Sequence, residues 1–170
     1  MTDEEKLAIL LQSREKRAAM QEKLISSYGM PIVSFTVNMP GVEKRNESSR
    51  KVFEAGVYAV REKLAPRIAA IKTVDEETGY EAYFVVDMNA SELKEKMCAI
   101  EGSHPLGRLF DLDVIGEDMK HYSRTELGHP KRKCLICGDD AAVCTRTQRH
   151  ALTELRQKID DIINSWEKIK

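Results

Sequence analysis

Between Pro31 and Ile115 the apolar residues recur with period two, then near 3.6, then twice more with period two, then near 3.6, then two again. That succession of strand and helix periods confines the chain to a mixed α+β architecture. Pro31 to Asn38, rich in Ile, Val, Phe and Thr, reads as a strand that Met39-Pro40-Gly41 breaks. Asn46 to Lys63 reads as a helix with Val52, Phe53, Val57, Val60 and Leu64 on its apolar side, closed by Pro66. Ile68 to Val74 and Tyr80 to Met88 form a hairpin, Ala90 to Ile100 a helix with Asn89 as N-cap, and Leu109 to Ile115 a strand. Helices are also expected over residues 3 to 27 and from about Asp140 to Lys168. The β-α-β-β-α-β order is the split βαβ, ferredoxin-like one: a four-stranded sheet with two helices on one face, and additional N- and C-terminal helices around it. At 170 residues, one domain spanning 1–170 is expected.

Composition narrows the class. Apolar residues at 42% and charged residues at 32% suit a globular protein rather than a disordered one, and no apolar run is long enough to span a bilayer. The acidic start, Met1 to Lys6, lacks the basic and apolar regions of a signal peptide. The expectation is a cytoplasmic protein whose Cys98, Cys134, Cys137 and Cys144 are thiols or metal ligands, not disulfides. A net charge of -1 argues against a nucleic-acid surface. The charge is uneven, however: residues 121 to 150 hold six Lys/Arg against three Asp/Glu, plus His121, His129 and His150, a field suited to a polyphosphate or to water alone.

In the first helix, Leu7, Leu10, Leu11, Ala18 and Ile25 share one face, yet Arg14 and Gln21 lie in phase with them and Arg17 at the edge. Polar groups in a core stripe need partners, so this turn either reaches water or lines a site. The densest chemistry lies in Gly102 to Ile115. Asp111 and Asp113 alternate along a strand and point to one face, a spacing that suits Mg²⁺ held by carboxylates and substrate phosphates. Gly107 would admit a phosphate to the backbone and Arg108 would clamp it. Asp87 is a candidate third carboxylate, and Lys44 with Arg45 a further basic pair.

Cys134, Cys137, Cys144 and His150 read as Cys-x2-Cys-x6-Cys-x5-His, a ligand spacing that zinc can use. Leu152, Leu155, Ile159, Ile162, Trp166 and Ile169 form a stripe; extended backward as one helix, it carries Cys144 and leaves His150 opposite. One ion cannot take both unless that helix breaks, so structural thiols are expected rather than zinc. The same phase groups Arg146, Arg149 and His150 into a phosphate-binding face, with Arg124, Arg132 and Lys133 adding to the field.

Asn38–Lys44, Gly107–Ile115, Ser123-Arg124 and Arg132–Cys137 with Cys144 and His150 resemble the citrate lyase holo-acyl-carrier-protein synthase family, also named apo-citrate lyase phosphoribosyl-dephospho-CoA transferase. The resemblance covers nearly the whole chain, including Arg14, Arg17 and Gln21. It implies that a serine of the citrate lyase acyl carrier (gamma) subunit attacks the innermost phosphate of 2'-(5''-triphosphoribosyl)-3'-dephospho-CoA, with pyrophosphate leaving. Such nucleotidyl-transfer chemistry needs charge neutralisation and in-line positioning. Asp111 and Asp113 would then hold Mg²⁺, and Arg108, Arg124, Arg146 and Arg149 the phosphates, with Lys44 or His150 completing the clamp. Two other classes use the same residues: a nucleotidyltransferase acting on another nucleotide, and a zinc-organised module that only binds an acyl carrier protein.

Overall fold

The computed structural model describes residues 1–170. The architecture is mixed α/β, with five α-helices and a five-stranded antiparallel sheet. The strands are β1 (Ile32–Val37), β2 (Ile68–Glu76), β3 (Gly79–Val86), β4 (Phe110–Ile115) and β5 (His121–Tyr122). The helices are α1 (Asp3–Tyr28), α2 (Glu47–Leu64), α3 (Ala90–Ser103), α4 (Ala141–Thr147) and α5 (Leu152–Ile169). Across the sheet the strands run β2-β3-β1-β4-β5, so the expected four strands become five. The addition is the two-residue β5, which pairs with β4 at Val114 and Ile115 only. Two residues with no alternation carry no strand signature, which is why the sequence does not announce them.

The helix starts follow local chemistry. Asn46 caps α2 through Ser49, and the Asn89 side chain accepts from the N–H groups of Ser91 and Glu92 at the start of α3. Thr2 and Glu5 form a reciprocal capping box on α1, and Gly29 ends that helix at φ 64°.

The two faces of the sheet differ. Val33, Phe35, Ala82, Phe84, Leu112 and Val114 point one way, into the main core, where α2, α3 and α5 cover them with Val52, Val60, Leu64, Leu93, Met97, Ile159 and Ile163. Phe35 stacks on Phe53 with centroids 5.6 Å apart and meets Phe110 edge-on at 5.5 Å. Gly56 of α2 makes room for it: a Cβ there would lie 2.2 Å from Phe35 Cζ and 3.2 Å from Phe110 Cε1. Gly56→Ala is therefore expected to destabilise by about 1–3 kcal/mol, although alanine is the better helix former. A urea midpoint lowered at constant m-value would show it; a raised midpoint would mean that the ring moves freely.

The opposite face lies under α1. Ile25 closes a small core there with Ile32, Val85 and Ile115. Leu7 and Leu11 remain exposed, because the sheet beneath the middle of α1 presents polar residues, not a core. No helix is long and apolar enough to cross a membrane.

Candidate active site

The antiparallel register brings the polar positions together. Thr36 of β1 stands between Glu81 of β3 and Asp111 of β4, and Ser34 between Tyr83 and Asp113. Residues directly opposite in such a ladder share a face. Helix α1 crosses this face and supplies partners: Arg17 Nε donates to Glu81 Oε2 at 2.5 Å, and Gln21 Nε2 to Ser34 Oγ at 3.0 Å. Arg14, Arg17, Lys44, Thr36, Glu81 and Asp111 line one open cleft of about 240 Å³. Arg14 and Arg17 of α1 thus line a site, with Gln21 bonded to the sheet beside it, and Lys44 joins them from the segment after the Pro40-Gly41 break. A larger groove of about 470 Å³ between α2 and β2, around Tyr58 and Arg61, holds none of the predicted site residues.

Asp111 and Asp113 are both exposed to solvent, although the protein packed around them partly desolvates their carboxylates. That burial, then the neighbouring Asp113 and Glu101, push Asp111 up to about 6, against the pull of Arg132 and Lys94. Asp113 is raised as well, first by burial. Two carboxylates with uncompensated charge on one face are a fitting donor set for a hard divalent cation. Lys44 is pushed the other way, by burial and by the nearby Arg14 and Arg156, and its Nζ donates to the Met39 carbonyl. The cleft therefore holds unbalanced acid on one wall and unbalanced base on the other. Asp87, the candidate third carboxylate, follows Val86 at the far end of β3, and Glu81 takes the place beside Thr36 instead.

Behind the carboxylates, β5 does not reach Leu112, and two buried charges of α3 satisfy that stretch of strand. Lys94 Nζ donates to the Leu112 carbonyl at 3.0 Å, and Glu101 Oε2 accepts from the Leu112 N–H at 3.1 Å. Glu101 also takes Arg124 Nη2 at 2.6 Å and lies 3.5 Å from Arg132 Nη1. Arg132 donates to the Phe110 and Gly107 carbonyls, both at 2.8 Å. Arg124 and Arg132 are thus committed to protein groups. Arg108, by contrast, makes no ion pair, and burial together with Arg132 and Arg124 lowers its pKa. The absence of a side chain at Gly107 serves packing: a Cβ would lie 2.3 Å from the Glu101 carbonyl oxygen.

The expected helix from Asp140 to Lys168 is two helices. Gln148 adopts a left-handed φ of 48° and ends α4 by donating its N–H back to the Thr145 carbonyl. This break corrects the phase argument in two ways. Arg146, Arg149 and His150 do not form one face: Arg149 pairs with Asp139, Arg146 stands on α4 without an ion pair, and none of the three lines the carboxylate cleft. His150 instead turns back toward Cys134, Cys137 and Cys144, and the four ligand atoms lie within 4.8 Å of one another.

The chain is similar to known proteins along nearly its whole length. Residues 5–166 match the family model described as apo-citrate lyase phosphoribosyl-dephospho-CoA transferase. It is 42% identical over 161 residues to the probable apo-citrate lyase phosphoribosyl-dephospho-CoA transferase of Vibrio cholerae serotype O1 (strain M66-2), covering 92% of this chain and 90% of that one. It is 37% identical over 158 residues to the enzyme of that name from Shigella boydii serotype 18 (strain CDC 3083-94 / BS512), covering 91% and 86%. Protein CitXG of Haemophilus influenzae (strain ATCC 51907 / DSM 11121 / KW20 / Rd) is 36% identical over 164 residues, 95% of this chain and 35% of that longer protein. The chain belongs to the apo-citrate lyase phosphoribosyl-dephospho-CoA transferase family.

Proposed function

We propose that this chain, as one catalytic domain over residues 1–170 acting in the cytoplasm, transfers the phosphoribosyl-dephospho-CoA group from 2'-(5''-triphosphoribosyl)-3'-dephospho-CoA to a serine of the citrate lyase acyl carrier subunit. The serine Oγ–P bond forms at the innermost phosphate, the bond to the outer two breaks, and pyrophosphate leaves. The observation that carries this reading is the meeting of Asp111 with Arg14, Arg17 and Lys44 in one cleft of a chain from this family. The cleft is smaller than a pocket for a whole coenzyme. It takes the triphosphate, while the rest of the nucleotide runs out along the surface.

Asp111 and Asp113 would hold Mg²⁺, which when bound neutralises phosphate charge and polarises phosphorus. Arg14 and Lys44 hold the departing phosphates from the opposite wall. Arg17 and Gln21 keep α1 in place through Glu81 and Ser34. Arg108 stands at the turn before β4, outside the residues that line the cleft, and is assigned to the phosphoryl oxygens because it is a desolvated guanidinium without a carboxylate of its own. Arg124 and Arg132 act through Glu101 and the turn before β4, and Arg146 and Arg149 lie outside the phosphate site.

Intact-protein mass spectrometry of the apo acyl carrier subunit tests the reaction. Incubation with this protein, Mg²⁺ and the precursor should add the precursor mass less pyrophosphate, and EDTA should prevent the gain. No gain from folded, metal-replete protein would overturn the reading in favour of another nucleotide substrate or a binding role. Arg108→Ala should lower kcat/KM by about 10²–10³-fold with no loss of thermal stability. An unchanged kcat/KM would remove Arg108 from the phosphate site.

A further inference from the structure

The geometry points to a structural zinc site built by Cys134, Cys137, Cys144 and His150, separate from the carboxylate cleft and independent of the reaction assigned to it. All four donor atoms already lie within 4.8 Å of one another, and the Cys137 and Cys144 sulfurs are 3.4 Å apart. A tetrahedral zinc with Zn–S of about 2.3 Å places its sulfurs roughly 3.8 Å apart, so small adjustments complete the shell. Three further observations favour a metal over a chance cluster of thiols. The His150 Nε2 is buried and has no hydrogen-bond partner, although an orphaned buried nitrogen is costly. Its Nδ1 faces Glu154, whose Oε2 lies 3.9 Å away, too far for a hydrogen bond as it stands but on the side where a ligand histidine commonly takes a carboxylate partner. Finally, the Ile136 N–H points at Cys134 Sγ at 3.4 Å, and Gly138 turns the chain at φ 79°, so the Cys-x2-Cys loop is wrapped around its first sulfur.

Three soft thiolates and one imidazole, with no fifth protein donor, make a closed site for a four-coordinate ion rather than a catalytic one. Its role is mechanical. Two backbone links, Cys134 N–H to the Asp139 carbonyl at 2.6 Å and Ala141 N–H to the Arg132 carbonyl at 2.9 Å, fold this loop back on itself, helped only by exposed pairs, Lys133 with Asp140 and Arg149 with Asp139 and the Cys137 sulfur. The loop nevertheless carries Arg132, which clasps the Gly107 and Phe110 carbonyls at the start of β4. Zinc would pin the loop to α4 and so hold Arg132 against the strand that carries Asp111.

The test begins with untagged wild-type chain purified without chelators. Elemental analysis and native mass spectrometry should find about one zinc per chain, and a thiol-blocking reagent should release it. Refolding the metal-free chain with Co²⁺ should give the intense visible bands of a tetrahedral ion and the near-ultraviolet band of sulfur-to-cobalt charge transfer. Cys137→Ser and His150→Ala should each weaken zinc retention more than about 100-fold, the upper range for losing a mere outer-shell partner. The Co²⁺ spectrum of the wild type decides the matter even if these variants fail to fold. Two results would overturn the site: a reduced chain that binds neither Zn²⁺ nor Co²⁺ at micromolar concentration, or one whose Co²⁺ spectrum is weak and octahedral. A metal-free chain two mass units light, with Cys137 and Cys144 joined, would overturn it as well.

Discussion

Asp111→Asn should abolish transfer, by about 10³-fold or more, and at the same time make the protein more stable. The substitution preserves shape, and the ladder that holds β4 to β1 is made by backbone groups. What it removes is one of the two carboxylates offered to the metal and one of two neighbouring charges that repel each other along the same strand. The folded chain holds Asp111 at about 6, up from the usual 3.8. Between those values the folded state binds more protons than the unfolded one, so stability from this group falls as pH rises through the window and the penalty is complete above about 6. The variant should therefore match wild type near pH 4 and melt higher above pH 6, by less than the shift alone implies, because Asp111 is exposed and water screens its repulsion. Activity moves with the opposite sign. At limiting Mg²⁺ the wild-type kcat/KM should decline as pH drops below about 6, because the pair must be ionised to hold the cation, and saturating Mg²⁺ should shift that limb lower. Thermal melts and metal titrations across this range check both halves. Wild-type turnover by the variant would remove Asp111 from the metal site, and a lower melting temperature would mean that the carboxylate stabilises the fold.

How much of this was legible in the sequence depends on what each residue leaves behind in local pattern. Asp111 and Asp113 were, since strand alternation alone puts them on one face. Arg14 and Gln21 were as well, because a polar residue in phase with a core stripe is visible as a misfit. Lys44 was found by its place after a Pro-Gly break. Glu81 was not, since its partners Thr36 and Asp111 lie 45 and 30 positions away and meet it only through register. Lys94 and Glu101 do leave a trace: they stand seven residues apart on the face of α3 that also buries Leu93 and Met97. The break at Gln148 left none. Neither Gly nor Pro marks it, and an unbroken helical period across residues 140 to 168 hid the approach of His150 to the cysteines.

Glu101 carries the second large effect. Glu101→Ala should cost about 3–5 kcal/mol, the range for removing one partner of a buried charge network. The side chain is 4% exposed and receives the Leu112 N–H, Arg124 and Arg132 together. Truncation leaves a buried N–H on the strand that bears the carboxylates, and it frees two guanidinium groups beside Arg108. A loss of that size corresponds to roughly 6–20 °C in melting temperature for a chain of this length. Catalysis should fall more than stability alone explains, because Arg132 loses the charge that helps hold it against Gly107 and Phe110. Glu101→Gln separates the two contributions. It keeps an acceptor for Leu112 but not the charge, so it should recover part of the stability and little of the activity. Glu95→Ala is the control, since that carboxylate is exposed on the same helix and pairs only with His129, at 2.8 Å. It should cost no more than about 1 kcal/mol. Equal melting temperatures for the two alanine variants would show that the free edge of β4 needs no buried charge to hold it, and that the carboxylates are positioned by the β1 ladder alone.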